Sequence, residues 1–330
     1  MEKKLRILFG VFFMIVIVLG ACSNKTKETT KLDWPKKSVQ LVCGMSAGGD
    51  SDFNARTLAK YLKDEIGVVV VVTNITGAGG SIATEEVVNS PNDGYRFYMN
   101  HVPLHTAKAF GITEKGWSDL DPVCAFGQGT GEFVTVRSNF PANDIQGMIE
   151  ETKKNPGKYR FGVNPGATSN YMAVVFQKAG AEFNLVSSGS AADRVVGLKG
   201  GHLDIILAGM PNVADYIKTG EFKVLGNCAS QRHPTLSQYP TVKEQDVNGE
   251  FDPVYVLYAV KGTDPRIIEK MSKACENIVT KNKEYQEQIS QAFSQVPLYK
   301  NTKETVEFLK KQEKIYMDIS DELKASYKKK

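Results

Sequence analysis

The chain has 330 residues, 42% of them hydrophobic and 24% charged, and carries a formal net charge of +4 at pH 7. A balance this close to neutral excludes a nucleic-acid-binding face as the organising feature, because neutralising phosphates needs a strongly basic surface. The length exceeds what one ordinary core supports and predicts two lobes.

In chain order, Lys3, Lys4 and Arg6 precede an apolar run from Leu8 to Leu19 that closes on Gly20 and Ala21. Positive charge, apolar run and small residues in this order make residues 1–21 a secretory signal and not a fold element. The run is short for a membrane span, and no second stretch of about 18 apolar residues follows. Leu19-Gly20-Ala21-Cys22 resembles the bacterial lipobox, which implies cleavage before Cys22, a diacylglycerol on its thiol and attachment to the outer face of the cell membrane. An ordinary signal followed by a chance cysteine is the alternative. Residues 22–33 include the polar stretch Ser23–Thr30 and read as a flexible tether. Removing residues 1–21, with their three basic residues and one acidic residue, lowers the charge from +4 to +2. The basic end Lys328–Lys330 reads as a solvated tail.

Strand-like and helix-like segments then alternate. Val39–Cys43 reads as a buried strand, Asp52–Ile66 as an amphipathic helix, Val68–Thr73 as an apolar strand, Ser81–Asn89 as a helix and Tyr95–Met99 as a strand, a βαβαβ unit with a parallel sheet. After Pro122 the pattern restarts, with strands near Val123–Gly127 and Phe133–Val136, helix Ile145–Lys154, strand Tyr159–Val163, helix Thr168–Ala179, strand Asn184–Ser187, helix Ala191–Leu198, strand Ile205–Ala208, helix Val213–Lys218 and strand Lys223–Asn227. Strand Val254–Val260 and helices near Pro265–Thr280, Lys283–Phe293 and Thr302–Ala325 remain, and are expected to return to the first lobe. Residues 34–120 and 240–330 therefore form a discontinuous lobe around a continuous one, 121–239, with linkers near Asp119–Gly127 and Cys228–Pro240, the plan of a hinged clamp.

Cys43, Cys124, Cys228 and Cys275 lack zinc-site spacing, and the first three sit in apolar strands as small buried hydrophobes. A Cys124–Cys228 disulfide is a pairing that the sequence leaves open. No cofactor motif is present. Gly77-Ala78-Gly79-Gly80-Ser81 lacks the last glycine of a dinucleotide fingerprint and reads as a helix-entry turn. Gly127–Glu132 reads as a mobile interlobe loop.

Ligands bind at the carboxyl ends of strands in open α/β sheets, so three loops are candidates. Gly44–Asp52 holds Ser46, Gly48, Gly49, Asp50 and Ser51 before a helix, where exposed N–H groups and the helix start suit an anion. A glycine turn with no ligand fits the same residues. Asn164–Asn170 mirrors it with Gly166, Thr168, Ser169 and Asn170, so that two closing lobes would pinch a carboxylate between neutral donors. The third loop, Asn100–His105, offers His101 as a hydrogen-bonding group or as a structural histidine. Gly44-Met45-Ser46-Ala47-Gly48 also fits the nucleophile elbow of a secreted serine hydrolase, with Asp204 and His233 following in the right order. Against it, no earlier strand and loop precede the elbow to supply a second oxyanion donor.

Six motifs fall in one order: Gly48-Gly49-x-Ser51-Asp52-x-x-Ala55-Arg56, Gly77–Ile82, Asp93-Gly94-Tyr95, Asn155-Pro156-Gly157-Lys158, Gly201-His202-Leu203-Asp204 and Pro240-Thr241-Val242-x-Glu244. Together they resemble the substrate-binding component of tripartite tricarboxylate transporters, the Bug family, from about Trp34 to beyond Asp264. The resemblance implies a type II periplasmic-binding fold with two α/β lobes, no catalysis, and capture of a small carboxylate for delivery to a permease with a large and a small integral-membrane subunit. It assigns one ligand carboxylate to Ser46, Gly48, Gly49 and Ser51 of the first loop and Gly166, Thr168, Ser169 and Asn170 of the second. Two departures stand out: Asp50 occupies a position usually small, and Asn170 one that is often histidine. Asp50, facing the cleft, would favour a ligand with an amino group over a second carboxylate; an exposed loop aspartate is the alternative. The chain is expected to act as a monomer. A lipoprotein sensor or adhesin is the rival from another class.

Overall fold

The computed structural model describes residues 32–328. The secretory signal, Cys22 and most of the tether lie outside the described residues, as do Lys329 and Lys330.

Two five-stranded sheets organise the chain. The first opens with β1 (Val39–Cys43), helix α1 (Asp50–Ile66), β2 (Val70–Asn74), a 3-10 turn at Ala78–Gly80, α2 (Ser81–Val88) and β3 (Arg96–Asn100). β1 pairs in parallel with both β2 and β3. It carries the almost continuous apolar sequence of a strand covered on both faces. α1 ends on Gly67, whose φ of 81° is the left-handed conformation that glycine adopts most readily. Next come α3 (Pro103–Ala109) and β4 (Leu120–Gln128).

The second sheet uses β5 (Phe133–Arg137), α4 (Ile145–Lys154), β6 (Arg160–Val163), α5 (Thr168–Lys178), β7 (Asn184–Ser187), α6 (Ala191–Lys199), β8 (Ile205–Ala208), α7 (Met210–Lys218) and β9 (Phe222–Asn227). The chain then returns through β10 (Val254–Val260), α8 (Pro265–Lys281), α9 (Lys283–Phe293), α10 (Thr302–Met317) and α11 (Ser320–Lys328). Strand order is β2-β1-β3-β10-β4 in one sheet and β7-β6-β8-β5-β9 in the other. This is the expected two-lobed α/β plan.

Three assignments change. The strand expected near Val123–Gly127 is β4, and it pairs antiparallel with β10 in the first sheet rather than opening the second. The first crossover is therefore the short stretch 129–132. The second crossover also shifts: residues 241–251 pack back on the second sheet, where Gln245 accepts from the Ile145 N–H and donates to the Leu225 carbonyl. The crossing itself lies near Asp252 and Pro253. The two connections meet where the Gly129 N–H donates to the Pro253 carbonyl at 3.0 Å, and the first is also held to the end of β9 by Cys228 N–H to the Glu132 carbonyl at 2.9 Å.

The C-terminal helix expected over Thr302–Ala325 is two helices, and the second lies against both lobes, its Tyr327 ring 6.2 Å from Phe110 of the first. Lys178 of α5 pairs with Glu322 of α11. Tyr316 of α10, fully buried, stacks on His105 at 5.8 Å and meets Tyr171 of α5 edge-on at 4.8 Å. One apolar core therefore runs from Phe161, Met172 and Phe176 of the second lobe into Phe110, Tyr316 and Leu323. The first lobe has its own core around Val42, Tyr98, Leu104, Val256, Tyr258 and Leu309. All four cysteines among the described residues are free and buried; Cys124 neighbours Cys275, not Cys228.

Candidate functional site

The first loop leaves β1 at Gly44, which lies against Tyr98: a Cβ at Gly44 would come within 2.7 Å of the Tyr98 hydroxyl. Asp52 organises the rest. Its carboxylate accepts from the Gly48 N–H at 3.0 Å, from Asn74 Nδ2 at 2.9 Å and from Arg56 Nε at 3.0 Å. Burial pushes the Asp52 carboxyl up, and these three donors outweigh it and hold the group below the usual aspartate range. Gly48 thus spends its N–H inside the loop and does not offer it to a ligand. Ser46 is exposed, as are Gly48 and Gly49, and its carbonyl lies beside Gly49.

Asp50 and Ser51, the first two residues of α1, turn toward β10 and the loop after β3. Tyr255 donates its hydroxyl to Asp50 Oδ2 at 2.7 Å. Ser51 Oγ lies 3.1 Å from His101 Nε2, and the His101 ring meets Tyr255 edge-on at 5.5 Å. Burial lowers the His101 pKa, opposed in part by the Asp50 charge. Which His101 nitrogen carries the proton follows from the direction of the Ser51 hydrogen bond.

The second loop leaves β6 and enters α5. Ser169 Oγ accepts from the Asn164 N–H at 2.8 Å, and Asn170 Oδ1 from the Gly166 N–H at 3.2 Å. Gly166 has a φ of 79° and lies against the other lobe: Thr106 of α3 donates to its carbonyl at 2.8 Å, and a Cβ at Gly79 would stand 3.3 Å from its carbonyl carbon. The N–H groups of Thr168 and Ser169 belong to the first turn of α5 and have no acceptor within the helix.

Three residues that the sequence reading did not select join the loops. Thr168 Oγ1 donates to Glu132 Oε2 at 3.4 Å, and Arg194 Nη2 donates to Glu132 Oε1 at 3.2 Å. Arg194 also anchors on the Leu207 and Gly189 carbonyls, at 2.9 and 3.1 Å. Asp50 and Tyr255 from the first lobe lie within electrostatic reach of this group. Burial raises the Glu132 carboxyl; Arg194 opposes that rise and the Asp50 charge adds to it. Burial likewise lowers the Arg194 guanidinium.

Buried polar atoms without partners gather here. Seven side-chain atoms among the described residues are of this kind, and two of them, His101 Nδ1 and Asn170 Nδ2, belong to the loops described above. Such orphans are costly unless something fills them. Polar side chains of both lobes, Asp50, Ser51, His101 and Tyr255 on one side and Glu132, Thr168 and Arg194 on the other, thus form one group at the lobe boundary.

A family model described as the tripartite tricarboxylate transporter family receptor matches residues 54–324. The chain belongs to this family. BugT of Bordetella pertussis is 29% identical over 274 residues, covering 81% of this chain and 82% of that protein. A solved structure of the periplasmic binding protein BugD aligns at a TM-score of 0.77 and 25% identity, covering 88% of this chain and 98% of that one. A Rhodopseudomonas palustris protein solved with adipate shares the fold at a TM-score of 0.76 and 21% identity, covering 88% and 98%. The protein is a solute-binding receptor of the tripartite tricarboxylate family. The serine-hydrolase alternative finds no assembled triad: Asp204 is held by Arg137 and Arg160, each at 2.9 Å, and His233 Nδ1 bonds the Thr235 hydroxyl at 3.0 Å. No helix among the described residues is long and apolar enough to cross a membrane.

Proposed function

We propose that this receptor captures a small carboxylate outside the cytoplasm, between the start of α5 and the Ser51–His101 side of the first lobe. It then passes the solute to a membrane permease with a large and a small integral subunit. The observation that carries the reading is the start of α5. Its first N–H groups have no partner within the helix, no acid stands in its first turn, and the orphan Asn170 Nδ2 lies beside it. Anions are favoured at such a helix end. Thr168, Ser169, Asn170 and the turn at Gly166 hold the carboxylate; Gly49, Ser51 and His101 close on it.

Capture follows from closure of the two lobes about the crossovers at 129–132 and 252–253. The solute drives closure only as far as it binds the closed form better. Lipid on Cys22 ties the receptor, as a monomer, to the outer face of the membrane beside its permease. Titration calorimetry with mono-, di- and tricarboxylates tests the ligand class: at least one gives saturable binding and raises the unfolding temperature, and silence across the panel counts against the reading. Release of Cys22→Ser from the membrane fraction tests the anchor.

A further inference from the structure

The cleft holds more acid than a carboxylate receptor needs. Among the groups that meet there, Asp50 and Glu132 are acids, Arg194 is the guanidinium they share, and the buried imidazole of His101 stands beside Asp50. Arg194, 4% exposed, is committed by its hydrogen bonds to Glu132 and to two carbonyls of its own lobe, and the hydrogen bonds that reach Asp50 come from the neutral hydroxyls of Tyr255 and Ser51. Closing an excess carboxylate into a buried cleft is unfavourable unless a cation enters with the ligand.

Acceptor capacity points the same way. Asp50 receives the Tyr255 hydroxyl on one oxygen and, at 3.5 Å, the Ser51 hydroxyl on the other, and Glu132 receives Arg194 and Thr168, one on each oxygen. Two carboxylates offer about eight lone-pair directions between them, so enough remain for the three N–H bonds of an ammonium group. A second observation marks a ligand here: the Asn170 amide nitrogen, on a residue 1% exposed, has no acceptor. Thr168 touches both halves, because its hydroxyl reaches Glu132 while its N–H belongs to the anion-binding helix start. The cationic and anionic ends of the ligand therefore lie close together.

We infer that the solute is an α-amino carboxylate, with its carboxylate on the Thr168 and Ser169 N–H groups and its ammonium between Asp50 and Glu132. The inference rests on the carboxylate-receptor reading. Calorimetry on the folded receptor with three matched pairs, propionate and alanine, succinate and aspartate, glutarate and glutamate, plus 4-aminobutyrate and putrescine, separates the two. In at least one pair the α-amino member binds about tenfold or more tightly. Asp50→Asn, near in shape and still able to accept from Tyr255, brings that pair within about threefold. Asp50→Ser and Glu132→Gln act in the same direction, with melting curves confirming that each is folded. Equal or tighter binding of the des-amino acids, or an undiminished amino preference in Asp50→Asn, overturns the inference and leaves the carboxylate reading standing. Binding of putrescine alone, or silence across the panel, overturns both.

Discussion

α1 begins with Asp50 and Asp52 in its first turn, whereas α5 begins with Thr168, Ser169 and Asn170 and no acid. Both helices follow a strand and a glycine with φ near 80°, at Gly48 and Gly166. In the first loop the partial positive charge of the helix start is met by the chain's own carboxylates, and the Gly48 N–H is spent on Asp52. In the second, the loop's internal hydrogen bonds come from neutral groups, and the carboxylate that reaches the helix start, Glu132, is bonded to the Thr168 hydroxyl and to Arg194 rather than to the first N–H groups. One backbone plan can thus serve opposite charges, and which it serves depends on whether the sequence has already supplied the anion.

Proline at the first helical position removes one N–H while fitting the helix, so it is the strongest probe of this asymmetry. Ala167 already has φ −96° and ψ −178°, as a residue before proline prefers. Thr168→Pro is expected to weaken a plain carboxylate such as propionate or succinate by roughly ten- to a hundredfold in calorimetry, the loss of a charge-assisted hydrogen bond. Asp50→Pro at the equivalent place in α1 is expected to cost it less than about threefold; equal losses would break the comparison. The two positive-φ glycines come next. Alanine at either is strained by about 1–2 kcal/mol. At Gly48 its Cβ meets open space, but at Gly166 it strikes Ile112. Gly166→Ala therefore lowers both the urea midpoint and solute affinity, and Gly48→Ala lowers the midpoint alone. Acid gives the smallest effect. Because the Asp52 carboxyl is held below its ordinary value, its stabilising contribution is complete above about pH 4 and fades as the pH falls below that. Unfolding curves for Asp52→Asn should show a shallower acid limb than wild type.

Much of this was legible in order along the chain. Val39–Cys43 is apolar and unambiguous and emerges as β1 with the expected ends, and both loops lie where strand and helix patterns meet. What escaped depends on contacts far apart in sequence. The run near Val123–Gly127 reads as a strand but carries no mark of its sheet, and only the pairing with β10, more than a hundred residues later, places it. α3 has seven residues and no side-chain cap at Val102, too little periodicity to register. Glu132, Arg194 and Tyr255 look like a loop acid, a helix-face cation and a core aromatic; they become a group because Arg194 lies 62 residues from Glu132 and Tyr255 lies 205 from Asp50.

Tyr316 sets how the clamp can move. Wedged between His105 and Tyr171, it lies close enough to Asp252 on the second crossover to feel its charge. Separating the lobes along that edge would wet a ring that buries on the order of 150–250 Å². The cheaper motion is a swing about this edge, like a book turning on its spine, with the free margins of the lobes travelling farthest. Under the closure proposed above, solute is expected to enter from the margin opposite Tyr316, the margin whose position would differ most between the open book and the shut one.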